Sequence, residues 1–341
     1  MKIKRRKFLK SLAVIAAGLQ LSPQALAAKS RDRLGRVLPL RRLGKTGENV
    51  TCLGLGGFHI GWIDKDATTQ AIIEAAIEEG VRFFDTAEGY GNGLSEERYG
   101  RFLTPKYRDV IFLMTKTTAR DVATAREHLE GSLRRLKTDT LDLWQLHGLS
   151  SPEDAASRLE AGLLEFALEA KASGKVRHIG FTGHSSPYAH KRMLNDAKAR
   201  DGFETCLMPI NPVDAGARHS FIEEVLPGLT EADYGVLAMK TLADGRFFEK
   251  KTMNDRVLWE TEAPIVPDVL TIEECIYFAL SLPISVLITG AETPALIREK
   301  AALARRFEAF DEDARLAMVE KVADFAESGQ IEYYKDRSLR G

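Results

Sequence analysis

Short apolar runs recur along this chain, each ending in small or polar residues. They fall at residues 51–56, 81–86, 110–116, 141–147, 178–182, 205–210, 236–240 and 285–289. The runs are nearly continuous in hydrophobicity, as strands covered on both faces require, rather than alternating as in a half-exposed sheet. Between or after them lie stretches of helical spacing, at 67–79, 94–103, 121–136, 152–173, 187–199, 216–233, 271–282 and 294–304. In the first, Ile72, Ala75, Ala76 and Glu79 recur at three- and four-residue steps. This strand–helix alternation predicts an α/β fold, a closed parallel (β/α)8 barrel of the TIM type. Two elements lie outside it. Residues 40–50 carry the turn sequence Gly44-Lys45-Thr46-Gly47 between extended pieces, a β-hairpin ahead of the first strand. Residues 309–328 predict an extra C-terminal helix, packed outside the barrel or over one end. The connection 244–268, rich in Phe and Pro and holding Trp259, has no periodicity. Loops that long inside a compact domain are usually functional lids.

Composition leaves this reading intact. The 341 residues are 44% hydrophobic and 28% charged, with a formal net charge of -1. That is ordinary for a globular protein with a large core, and it points to no nucleic-acid partner. Cys52, Cys206 and Cys275 are widely spaced among apolar neighbours, so they read as buried thiols. No cluster of metal-ligating residues stands out, and no metal is expected.

The N-terminus changes the picture of where the protein works. Lys2, Lys4, Arg5, Arg6, Lys7 and Lys10 make a basic start, an apolar stretch follows from Ser11 to Leu21, and Ala25-Leu26-Ala27 is a small-x-small cleavage pattern. That order is a secretory signal peptide. The Arg5-Arg6 pair with Phe8, Leu9 and Lys10 resembles the twin-arginine export motif, with Lys4 in place of the usual Ser or Thr; the alternatives are an ordinary secretion signal or an uncleaved anchor. The chain therefore divides into a signal at 1–27 cleaved near Ala27, a basic mobile linker at 28–38, a barrel at 39–330 and a tail at 331–341. The expected location is the periplasm, with the twin-arginine translocation machinery as partner and membrane contact only through the signal.

Four polar residues close three consecutive apolar runs or follow them: Asp85 with Tyr90 in the next loop, Lys116, and His147. In a parallel barrel those strand ends share one face, where chemistry is built. A carboxylate, a phenol, an amine and an imidazole gathered there make a proton-delivery device. A phenol, with a reference pKa of roughly 10, is a weak acid unless that value is moved. A neighbouring ammonium favours the phenolate. Tyr90 is thus the expected proton donor, Lys116 and Asp85 its tuners, and His147 the group orienting the substrate. Phe58, His59 and Trp62 after the first strand, and Trp259 in the long connection, are either walls of a substrate pocket or ordinary loop packing.

The run Phe84-Asp85-Thr86-Ala87-Glu88-Gly89-Tyr90-Gly91 with Ser95-Glu96-Glu97 resembles the signature of the aldo-keto reductase family. Thr115-Lys116, Leu146-His147, Leu43-Gly44-Lys45-Thr46-Gly47 and Gly54-Leu55-Gly56 are similar to that family as well, over about residues 38 to 305. The resemblance implies a nicotinamide dinucleotide lying extended across the strand ends, NADP by family default and NAD as the alternative, with an aldehyde or ketone as substrate. It also places cofactor contacts. Gly56 lies at the first strand's mouth. Thr182-Gly183-His184 stands where the family has Ser-Asn against the carboxamide, and Leu207 where it has Gln, so Asn211 and His184 are the substitutes. Lys240 with Thr241 is either a pyrophosphate contact or a lysine reaching to water. Gly290, Ala291, Arg298 and Lys300 stand along the adenosine phosphate site, where Glu292 would repel a phosphate. The alternative function is a dinucleotide-binding redox sensor or accessory subunit without turnover.

Overall fold

The computed structural model describes residues 31–253 and 256–341; the basic and apolar N-terminal segment, with its expected cleavage site, lies outside them. Eight strands form the centre: β1 (Leu53–Gly56), β2 (Phe83–Asp85), β3 (Phe112–Thr117), β4 (Leu141–Leu146), β5 (Val176–Thr182), β6 (Thr205–Pro209), β7 (Gly235–Met239) and β8 (Val286–Thr289). They follow one another in chain order around a closed barrel, all parallel, with β8 pairing back onto β1.

Two-residue alternation explains why the strands read as continuous apolar runs. Phe83, Phe112, Met114, Leu143, Leu207, Leu237, Val286 and Ile288 fill the barrel interior. Their neighbours Phe84, Leu113, Trp144, Cys206, Met208, Val236, Ala238 and Leu287 belong to the outer layer, packed against the helices. Successive side chains face opposite ways, and both faces are covered. The hairpin Leu40–Arg42/Asn49–Thr51 closes one end, and Leu43 and Val50 join the inner cluster. Its turn lies so close to β7 that a Cβ on Gly44 would stand 2.2 Å from the Gly235 nitrogen. All three cysteines are free and buried.

Several expected helices are subdivided. The stretch 152–173 breaks at Gly162, whose φ of +81° ends Pro152–Glu160 before Leu163–Ala172 begins. Asp196, in extended conformation, separates Pro187–Asn195 from Ala197–Gly202 and caps the second. Residues 212–231 hold three short helices, Pro212–Gly216, Phe221–Glu224 and Leu226–Glu231. The C-terminal helix is two, Glu312–Lys321 and Ala323–Ser328, both packed on Pro212–Gly216. The long connection after β7 contains an antiparallel hairpin, Lys250–Met253 with Arg256–Glu260.

The described part of the expected linker is ordered. Arg31–Asp32 pairs with Gly35–Arg36. Asp32 accepts from the nearly buried Arg82 at 2.5 Å, and Arg33 bonds Asp109 at 2.6 Å. A buried guanidinium requires a carboxylate, and that requirement ties the segment to the barrel. Nor is 331–341 a loose tail: Ile331, Glu332, Tyr334 and Lys335 are all buried.

Candidate active site

Barrel register brings the chemistry together. Asp85 ends β2, Lys116 is the penultimate residue of β3, and His147 follows β4, its N–H donating to the Thr117 carbonyl at 2.8 Å. Tyr90 sits in the turn after β2, with its N–H on the Ala87 carbonyl. Lys116 is fully buried and its ammonium is saturated. It donates to the Asp85 carboxylate, to the Thr86 carbonyl at 2.7 Å and to the Tyr90 hydroxyl at 3.1 Å. The Tyr90 ring stands edge-on to His147, with centroids 5.8 Å apart. Phenol, ammonium, carboxylate and imidazole share one rim of the barrel.

The electrostatics are a contest between burial and pairing. Burial opposes the charge on Lys116, but Asp85 and Tyr90 outweigh it and hold the ammonium above its ordinary range. Asp85 is pushed up by burial, against the pull of Lys116 and a hydrogen bond from the Gly57 backbone. Tyr90 departs from expectation. Burial raises it, Lys116 lowers it, Asp85 raises it again, and the phenol ends above its usual value. The ammonium's influence is largely spent on the carboxylate it neutralises. His147 is driven well below the ordinary histidine range, by burial first and then by Lys116, His184, Arg158 and Lys240. It is a neutral imidazole at neutral pH, and its Nδ1 has no partner among the described residues.

The rim is braced from behind by residues that sequence motifs marked without giving them a role. Ser95 bonds the Gly57 carbonyl at 2.7 Å and the Thr86 hydroxyl at 2.8 Å. Glu96 is buried, accepts from Thr115 at 2.6 Å and pairs with Arg135 at 2.7 Å, fixing the strand next to Lys116. Gly57 must be glycine: a Cβ there would lie 2.4 Å from the Asp85 carbonyl oxygen.

The remaining expected positions divide. Phe58 packs edge-on against Tyr90 at 5.5 Å and also meets Trp62; both are about two-fifths exposed, so they form a wall beside the phenol. Trp62 borders an open cavity of about 390 Å³ with Gly91 and Asn92. His59 packs instead on Gly290 and reaches Glu292 at 3.6 Å. Trp259 donates to the Phe248 carbonyl and lies under Arg246, so it braces the long connection. Gly56 lies where a Cβ would press on Ile288 and Thr289 of β8. Thr182 ends β5 opposite Leu207 of β6, a pairing that leaves an apolar patch in the barrel interior. Gly183 cannot bear a side chain, because a Cβ would sit 2.3 Å from the Leu149 carbonyl oxygen. Asn211 is already committed. Its Oδ1 caps Pro212–Gly216, and its Nδ2 donates to the Lys240 carbonyl at 3.3 Å and the Tyr334 hydroxyl at 3.1 Å. Arg298 points away, pairing with Glu78 at 2.8 Å on the helix Asp66–Glu78, because helix Pro294–Arg305 turns that face outward. Lys300 lies inward, donating to the Gly290 carbonyl at 2.7 Å; burial lowers its pKa to about 8. Ala291 beside it is buried.

After β7 the backbone is held in an unusual conformation, with positive φ at Lys240 (54°), Ala243 (48°) and Asp244 (58°). Such strain in non-glycine residues concentrates at ligand sites. Asp244 gathers Lys251 of the long-connection hairpin at 2.8 Å, Lys240 at 3.8 Å and the Tyr333 hydroxyl. Thr241 carries a buried hydroxyl with no partner among the described residues. Cations at Lys240, Lys251 and Lys300, together with the unpaired polar atoms of Thr241 and His147, fit an extended anionic ligand across the strand ends. Asp244 and Lys251 escaped sequence reasoning because the long connection offers no periodic signal.

A closed parallel barrel with an acid–base constellation on one rim is, as a class, a barrel enzyme equipped to move a proton. The aldo/keto reductase family model matches residues 52–310, and the chain belongs to that family. It is similar to YqkF of Bacillus subtilis, an uncharacterised oxidoreductase, at 27% identity over 298 residues spanning 78% of this chain and 92% of YqkF. The aldo-keto reductase YhdN of the same organism is 35% identical over 159 residues, 42% of this chain and 46% of YhdN. Among solved structures, an aldo-keto reductase from Bacillus halodurans in its holo form superposes with a TM-score of 0.69 at 21% identity, covering 83% of this chain and 96% of that one. One from Klebsiella pneumoniae in complex with NADPH gives 0.64 at 22% identity, covering 84% and 95%.

Proposed function

We propose that this protein reduces aldehydes or ketones with NADPH by hydride transfer, with Tyr90 delivering the proton. The carrying observation is the three-way grip of Lys116 on Asp85, the Thr86 carbonyl and the Tyr90 hydroxyl, with His147 edge-on to the same phenol. The nicotinamide supplies the hydride when bound. Lys116, kept charged by Asp85, donates to the Tyr90 oxygen and stabilises it as its proton leaves for the carbonyl oxygen. His147 stays neutral and offers a hydrogen bond to the same oxygen, orienting the carbonyl. Phe58 and Trp62 give an apolar wall suited to a carbonyl compound of moderate size.

Lys240, Lys251 and Lys300 are the residues placed to hold the dinucleotide phosphates, and the NADPH named for the Klebsiella neighbour supports the choice of cofactor. The test is NADPH oxidation followed by absorbance over a panel of carbonyl compounds. Tyr90→Phe is expected to lose about 10²–10⁴ in turnover while still binding dinucleotide. A variant that kept most of its turnover would refute the assignment. The basic start, apolar stretch and Ala25-Leu26-Ala27 further support export by the twin-arginine route to the periplasm. That route carries folded cargo, so on this reading the cofactor is loaded before export.

A further inference from the structure

The C-terminal segment 331–336 is built into the mouth of the barrel. Its Tyr334 meets three residues on the dinucleotide side. The Tyr334 carbonyl accepts from His184 Nδ1 at 3.2 Å, its hydroxyl accepts from Asn211 at 3.1 Å, and Lys240 Nζ lies 4.9 Å from the centre of its ring. The ring is also edge-on to His184, with centroids 5.8 Å apart. His184 and Lys240 are in turn close enough to His147 to act on its charge.

The segment is fastened by a buried charge cluster. Lys335 Nζ contacts Asp214 at 2.8 Å, Glu332 at 2.6 Å and the His219 carbonyl at 2.8 Å, and the Asp336 N–H bonds the Ser185 carbonyl at 2.8 Å. Asp214 is itself held by Ser220 and by the backbone of Phe221 and Ile222. Lifting the strap would strip the buried Lys335 ammonium of the Asp214 carboxylate and the His219 carbonyl and leave Asp214 without its cation, which is strongly unfavourable. The strap is therefore a fixed wall rather than a swinging lid.

We propose that Tyr334 is a positioning residue of the dinucleotide seat, holding His184 and Lys240 in place at the rim, with Lys335 as the fastening that sets it there. The inference rests on the reading of this rim as a nicotinamide-dependent site. Gly183 and Leu207 offer no polar side chain at their positions, so the strap supplies from outside the barrel an order that the strand ends do not.

The experiment is steady-state kinetics with NADPH at a saturating carbonyl substrate, alongside direct dinucleotide titration. Tyr334→Ala is expected to raise the KM for NADPH at least about tenfold while kcat stays within about threefold, since ordering of the seat is lost but the proton-transfer groups are not. Tyr334→Phe keeps the ring over Lys240 and should restore KM to within about threefold of wild type. Hydrogen–deuterium exchange on the unaltered protein gives a second readout that needs no variant to fold. NADPH should slow exchange in residues 331–336. An unchanged KM in Tyr334→Ala, or exchange in the strap indifferent to NADPH, overturns the inference. So does tighter binding in Tyr334→Ala, which would mean that the strap plugs the seat. Failure of the wild type to bind either dinucleotide would overturn the functional reading itself; binding with an indifferent Tyr334 overturns only the present one.

Discussion

Lys116 is the residue on which the rim depends. Its ammonium is fully buried and anchored by Asp85, so Lys116→Met leaves an unpaired carboxylate in the interior. That single change should cost about 3–5 kcal/mol of stability, measured by denaturant unfolding. Replacing both partners, with Asp85→Leu added, should recover much of the loss without recovering turnover, which separates the structural from the chemical duty of the pair. His147 supports a pH prediction. Burial and neighbouring cations hold it far below 6.5, so the rate profile should show no inflection near that value. Glu332 supports another. Its pKa is raised from 4.5 to about 7, chiefly by burial and by repulsion from Asp214. The native state thus keeps this proton longer than the unfolded state does, and Glu332 costs stability progressively as pH rises from about 4.5 to 7. Glu332→Gln should therefore melt relatively higher, against wild type, at pH 8 than at pH 5. The four rim residues were legible because each ends or follows an apolar run. The direction of the Tyr90 shift was not, because it depends on how burial balances against a lysine already neutralised by its partner.

At the scale of elements, strands read more clearly than helices. The barrel strands are buried on both faces at nearly every position, so the apolar runs mark them directly, whereas helix breaks depend on single residues. Gly162 and Asp196 each interrupt a stretch whose helical spacing continues across the break. Gly183 marks how tightly β5 and its following loop meet the loop after β4. Gly183→Ala would drive a methyl to 2.3 Å from the Leu149 carbonyl oxygen, so backbone must move. A fall in melting temperature corresponding to about 1–3 kcal/mol is expected, together with weaker dinucleotide binding as the adjoining His184 shifts. The strap had no counterpart in the pattern of the chain. Tyr334 and Lys335 lie in a short polar stretch whose partners, His184, Asn211 and Asp214, are far away in sequence, and only the folded barrel brings them together.

At the scale of the whole molecule, the barrel is closed at one end by the hairpin carrying Leu43 and Val50, and its opposite rim is dressed by loops that bear the chemistry. The export expectation belongs here and is open to direct test. Changing Arg5 and Arg6 together to Lys should retain the protein in the cytoplasmic fraction, as judged by immunoblotting after cell fractionation. The placement of the strap carries a consequence for the order of events during synthesis. All eight barrel strands precede residues 331–336 in the chain, so a ribosome extrudes a recognisable barrel before it extrudes the segment that dresses the rim. A nascent barrel still awaiting Tyr334 would grip its nucleotide poorly, and firm capture would come only once translation had passed that point.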